Sequence, residues 1–134
     1  MDMEIDVRFP GGVAVEAEFN GFTVRTDQPV EAGGEGSAPS PFALYLASLG
    51  TCAGFYALRF CQERSLDTSG LGLTLQVERD QETRLPSLVK MTIQLPTGFP
   101  EKYRKAIIRA TDQCAVKRSL QAPPRFEVEA QLPG

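Results

Sequence analysis

The chain contains no histidine, and that absence removes most ordinary ways of doing thiol or metal chemistry. Without imidazole there is neither a Cys-His pair of the protease kind nor a histidine ligand for a metal. Cysteine is also scarce. Cys52, Cys61 and Cys114 make an odd count with no CxxC spacing, which argues against a disulfide scaffold and against a zinc knuckle. There is no Lys/Arg block and the net charge is −3, so nucleic-acid binding has little support. No GxGxxG or Walker pattern is present to cradle a phosphate. No cationic segment followed by an apolar run opens the chain, so no secretory signal is expected and a reducing cytoplasm is the default location. In that compartment a cysteine pair is more often transient and catalytic than structural.

What is present fits one ordinary domain over residues 1–134, with 42% apolar and 23% charged residues. The N-terminal third reads as strands. Met3 to Phe9 alternates apolar and polar residues, Pro10-Gly11-Gly12 interrupts, and Val13 to Phe19 alternates again. Asn20-Gly21 is a strong two-residue hairpin signal, because both central positions of a type I′ turn need positive φ. Phe22 to Thr26 follows as a third strand carrying Arg25.

Residues 28–40 form a Gly-, Pro-, Glu- and Ser-rich loop, readable either as a linker or as a mobile rim to a site. Ser40-Pro41 then supplies a hydroxyl cap and a first-turn proline for a helix running to about Arg64. From Phe42 to Leu58 that helix has no charged residue. A membrane span is one reading of such a run. The stretch is short for it, and Ser48, Gly50, Thr51, Cys52 and Gly54 make its centre small and polar. A helix apolar on all faces is otherwise a buried one, which in a domain this small implies help from a partner subunit.

A second strand set follows, with Leu71, Leu73, Leu75 and Val77 alternating and then Val89, Met91, Ile93 and Leu95, joined through 84–87. Pro100-Glu101 opens a second helix on which Tyr103, Ala106, Ile107, Ala110 and Cys114 recur at helical spacing, so Cys114 is expected to close it. Lys117 and Arg118 put cations within reach of that sulfur. Pro123-Pro124 breaks the chain, and Phe126, Val128 and Ala130 read as a final strand. The expected order is βββ-α-ββ-α-β, an α+β fold with helices on antiparallel sheets.

Among the cysteines, Cys61 lies nine residues after Cys52 and points away from it, a structural position. Cys52 and Cys114 are distant in sequence, each in an apolar setting. They read either as small buried hydrophobes or as a peroxidatic and a resolving thiol.

The run Gly36-Ser37-Ala38-Pro39-Ser40-Pro41 leading into Leu44 to Cys52, with Cys114-Ala115-Val116-Lys117-Arg118-Ser119-Leu120 later, resembles the OsmC/Ohr hydroperoxide-reductase superfamily. Length and element order agree along essentially the whole chain. The resemblance implies an intertwined homodimer with a long buried central helix and active sites built from both subunits. It implies Cys52 as peroxidatic thiol, Cys114 as resolving thiol, and Arg25 as the arginine paired with the thiolate. Cys52 would attack a peroxide to leave a sulfenic acid, and Cys114 would condense with it to a disulfide. A lipoyl- or thioredoxin-type dithiol would reopen that bond.

No metal or prosthetic group is expected, and no nucleic-acid or membrane partner. An apolar lining from Phe42, Leu44, Tyr45, Phe55 and Tyr56 would favour small organic hydroperoxides, an antioxidant role in stress response. Two positions depart from the family pattern. Phe42 stands where active members carry a glutamate that orients the arginine, with Glu31 or Glu35 as candidate stand-ins, and Ala115 replaces a proline. The competing expectation is an OsmC-like thiol redox sensor or small apolar-ligand binder without efficient turnover.

Overall fold

Asn20 and Gly21 take φ of 48° and 80°, the paired left-handed residues that a type I′ hairpin demands. They join two strands of a meander whose order is β1-β2-β3, formed by β1 (Asp6–Gly11), β2 (Ala14–Phe19) and β3 (Phe22–Thr26). The computed structural model describes residues 3–134. After a 3-10 turn at Val30–Ala32 come α1 (Pro41–Glu63), β4 (Gly72–Arg79) and β5 (Pro86–Gln94). A second 3-10 turn at Glu101–Tyr103 leads into α2 (Arg104–Thr111) and α3 (Ala115–Gln121). The architecture is α+β, with antiparallel sheets and a central helix, as expected. The chain divides into two compact units, one ending at Ala47 and the other spanning Ser48–Gly134.

In the first unit the Gly-rich loop is tied down by one carboxylate. Asp27 is 3% exposed. It accepts hydrogen bonds from the amides of Gln28 at 2.7 Å, Ser37 at 3.0 Å and Glu35 at 3.3 Å, and from the Ser37 hydroxyl at 2.6 Å. Such donors favour the ionised form, and the Ser37 hydroxyl, then its amide, hold the Asp27 carboxyl down to about 2. The segment read as a linker or mobile rim is therefore an anchored loop. Gly34 is needed there for space: a Cβ at that position would lie 1.9 Å from the Gln28 carbonyl oxygen. Ser40 begins α1 as expected, its hydroxyl accepting the Ala43 amide at 3.2 Å.

In the second unit the core is Ala57, Phe60, Cys61 and Ile107, with Leu66, Leu71, Ile93, Leu95 and Tyr103 packed around it. The helix comes close to β4 at Gly50, where a Cβ would lie 3.1 Å from a methyl of Leu75. Cys61 is fully buried, and desolvation pushes its thiol up, in keeping with a structural position.

Three expectations are corrected. Cys114 does not close the second helix. That helix stops at Thr111, and Cys114, with φ −48° and ψ 123°, stands outside it as the N-cap of α3. Pro86 is the first residue of β5 rather than part of the connection, a place where a missing N–H costs no ladder bond. Residues 122–134 form no strand in this chain, although Phe126, Val128 and Leu132 are highly exposed. An extended segment becomes a strand only through a ladder with a neighbour. Within one chain, α1 buries the stripe Leu49, Ala53, Ala57, Phe60 and Cys61. It is long and apolar enough to cross a membrane by length and composition, and 17% of its most apolar stretch is buried. One copy covers one face of it.

Replacing Gly34 by alanine drives a methyl into backbone and should cost about 1–3 kcal/mol by urea denaturation, with faster proteolysis within residues 28–37. The Asp27 carboxyl is lowered in the fold, so its contribution is present above the ordinary carboxylate pKa of 3.8 and is lost as pH falls towards about 2. Acidification across that window should loosen the loop in the native protein, and Asp27→Asn should remove that pH step in hydrogen exchange.

Candidate functional site

Two sulfurs from distant parts of the chain meet in the second unit. Cys52 lies midway along α1, where the helix dipole gives a side chain little help. Its sulfur is half-buried and faces the first turn of α3. The Val116 amide donates to it most effectively; the Cys114 thiol, the Ala115 amide and the charge of Arg118 add to that, and together they outweigh burial and lower the Cys52 thiol below its ordinary value. These groups prefer a thiolate over a thiol.

Cys114 has the opposite character. It is 1% exposed, and burial, its leading influence, pushes its thiol up. Its sulfur lies 3.8 Å from the Leu49 carbonyl oxygen, to which the S–H can donate, and it accepts the Lys117 amide at 3.5 Å. The pair is thus polarised, with one sulfur disposed to ionise and its hydrogen-bonded neighbour disposed to keep its proton. This is the arrangement in which one thiolate reacts with an electrophile and the other thiol stays available for a second step.

The break between α2 and α3 produces this geometry. Residues 112–114 leave the helical path, so the first amides of α3 have no intrahelical acceptors. Cysteine sulfurs take those amides instead. Lys117 pairs with Asp112 rather than with either sulfur, whereas Arg118, one residue on, acts on Cys52.

The other expected site residues fall into two groups. Phe55 and Tyr56 follow Cys52 by three and four residues, so they share its face of α1, their rings 5.5 Å apart. Phe42 and Tyr45 stack at 5.3 Å near the start of α1, in the first unit. Arg25 is also in the first unit. Its cross-strand neighbour is Glu16, and the two side chains form an ion pair at 3.9 Å. With Asp27, Gly34 and Glu35 it lines a concavity of about 370 Å³. The carboxylate paired with Arg25 is therefore Glu16, in place of the Glu31 or Glu35 offered as stand-ins.

Sequence reasoning missed the amides of Ala115 and Val116, and it considered Arg118 only for Cys114, whereas its charge acts on Cys52. The signal for the first was a cysteine directly preceding a short polar helix, an N-cap position. Glu16 was also legible: a two-residue turn at 20–21 pairs each residue with the one whose number completes 41, and 16 completes 25. Among the described residues, no group of three or more His, Cys, Asp or Glu side chains could hold a metal.

A family model described as OsmC-like protein matches residues 34–129. The fold is similar to a candidate osmotic-stress-induced and detoxification-response protein from Psychrobacter arcticus, with TM-score 0.74 and 23% identity over 86% of this chain and 85% of that one. It is also similar to an OsmC-like protein from Mycoplasma pneumoniae, with TM-score 0.71 and 16% identity over 92% and 91% of the two chains. A third structure is an organic hydroperoxide resistance protein OsmC from Legionella pneumophila, with TM-score 0.58 and 16% identity over 90% of each chain. At these identities the likeness establishes fold alone. No curated protein sequence matches the chain.

Because Cys52 is shifted down and Cys114 up, iodoacetamide should modify Cys52 at lower pH than an ordinary thiol, and Cys114 only at higher pH. Ala115→Pro removes one donor at a first-turn position that tolerates proline, and the extended Cys114 backbone already suits a following proline. That variant should keep its circular dichroism yet alkylate at Cys52 on the order of tenfold more slowly at pH 7. Arg118→Met should shift the Cys52 pH profile in the same direction.

Proposed function

The chain belongs to the OsmC-like family, and on that premise we propose that it is a thiol peroxidase acting on organic hydroperoxides. The observation that carries this reading is the polarised pair, with the Cys52 sulfur facing two amides, Arg118 and the Cys114 thiol. The Cys52 thiolate attacks the distal oxygen of R–O–O–H. The O–O bond breaks, RO⁻ takes up a proton and leaves as the alcohol, and Cys52 becomes a sulfenic acid. The Cys114 sulfur then attacks the sulfenic sulfur, water leaves, and the Cys52–Cys114 disulfide forms. A dithiol donor of lipoyl or thioredoxin type returns two thiols and is itself oxidised to its disulfide.

Phe55 and Tyr56 beside Cys52 support an apolar alkyl or aryl group on the peroxide. Within the first unit, Glu16 holds the Arg25 side chain. A cytoplasmic homodimer is the proposed working form. Supporting it are the one-faced burial of α1, the exposed Phe9, Phe22 and Phe126, and the unpaired apolar alternation of residues 126–132, more apolar surface than a monomer ordinarily leaves bare. The second reading is a redox sensor that oxidises once. Phe42 favours it, since its ring stacks on Tyr45 at a position where a carboxylate would orient the arginine.

With cumene hydroperoxide and a dithiol donor, the enzyme should complete many turnovers, whereas a sensor should stop at one equivalent. Intact mass after one equivalent of peroxide should show loss of two hydrogens in the native protein and gain of one oxygen in Cys114→Ser. Oxidation absent from both would sink the peroxidase. Sedimentation should give a dimer, and Cys52→Ser should abolish turnover without changing the dimer.

A further inference from the structure

The opening turn of α3 faces the two sulfurs: the Lys117 amide is accepted by Cys114 at 3.5 Å, and the Ala115 and Val116 amides lie beside Cys52. α3 has seven residues, none of them buried, which is shorter than a helix that stands alone in water. Its ion pair between Lys117 and Asp112 is solvent-facing, a kind of contact worth little. The Cys114 sulfur serves here as a helix cap, a place ordinarily taken by Ser, Thr, Asp or Asn.

We propose that α3 is a redox-sensitive element, capped by the reduced sulfur pair and uncapped when Cys52 and Cys114 join. The inference rests on the disulfide chemistry proposed above and adds its structural consequence. Oxidation by one equivalent of hydroperoxide takes two electrons from the pair, passes through the sulfenic acid and expels water, leaving a neutral disulfide. Two acceptors and one donor change at once. Cys52 can no longer take the thiolate form, the one that draws the Ala115 and Val116 amides most strongly. The Cys114 sulfur is drawn towards Cys52 and away from the Lys117 amide. The S–H facing the Leu49 carbonyl disappears. The first turn of α3 is left with orphaned donors, and residues 115–121 loosen. Because the Lys117 backbone is one of the groups packed against the otherwise buried Cys114 sulfur, the loosened turn gives an incoming dithiol access to it. Reduction restores both acceptors and the helix re-forms.

Hydrogen exchange on the full chain, reduced and after one equivalent of cumene hydroperoxide, tests this with intact mass read in parallel. Loss of two hydrogens together with exchange in residues 116–121 at least about fivefold faster, while β4 and β5 stay unchanged, is the expected result. Loss of two hydrogens with unchanged or slower exchange in 116–121 overturns the switch and leaves the peroxidase reading standing. No loss of hydrogens overturns both. The capping claim is tested separately in the reduced protein: Cys114→Ala should raise exchange in 116–121, and Cys114→Ser, which retains an acceptor, should hold it near the native rate. Equal exchange in the alanine variant and the native protein overturns the cap.

Discussion

The feature on which the electrostatics of the thiol pair depends is the placing of the Val116 backbone amide beside the sulfur of Cys52. In a chain without histidine, thiolate character has to come from cations or from oriented amides. A mid-helix position supplies neither. The solution is to bring the start of a second helix, whose first N–H groups lack internal partners, against the sulfur. The same break in the chain that frees those amides also puts Cys114 at the cap. One local irregularity, residues 112–114, therefore creates both the acidity of one thiol and the position of the other.

Ala115 carries particular weight in this arrangement. A proline there, the residue the family pattern favours, would fit the backbone but donate nothing. Alanine adds a second amide to the sulfur, and Arg118 adds a full charge from the next turn. Phe42 replaces the carboxylate that the family pattern associates with arginine orientation, while Arg25 pairs with Glu16 across the β2–β3 hairpin.

The first unit is organised by a different kind of contact. Asp27 gathers four donors from a loop containing three glycines, and a nearly buried carboxylate with that many partners remains ionised to low pH. The loop lies directly before α1, so its anchoring sets where the helix begins, at the Ser40 cap. In the second unit the small residues of α1 have an equivalent role. Gly50 permits close approach to Leu75, and Ala53 and Ala57 keep the buried stripe narrow enough for the helix to lie near β4 and the core around Ile107.

Much of this was legible in the sequence, because local rules govern it. Alternation placed the five strands, Asn20-Gly21 set the register of the first sheet, Ser40-Pro41 started the long helix, and nine-residue spacing separated Cys61 from Cys52. The segments around Cys52 and Cys114 carried the resemblance to the family. Other features were decided only when distant segments packed together. Helical periodicity carried Cys114 onto the end of α2 because the apolar pattern continues through it, whereas in the fold the helix stops at Thr111 and the sulfur caps the next one. The choice of Arg118 for Cys52, and the opposite shifts of two chemically identical thiols, depend on which sulfur faces amides and which is buried. Sequence spacing carries neither orientation nor solvent access, and the acidity of a thiol is determined by both.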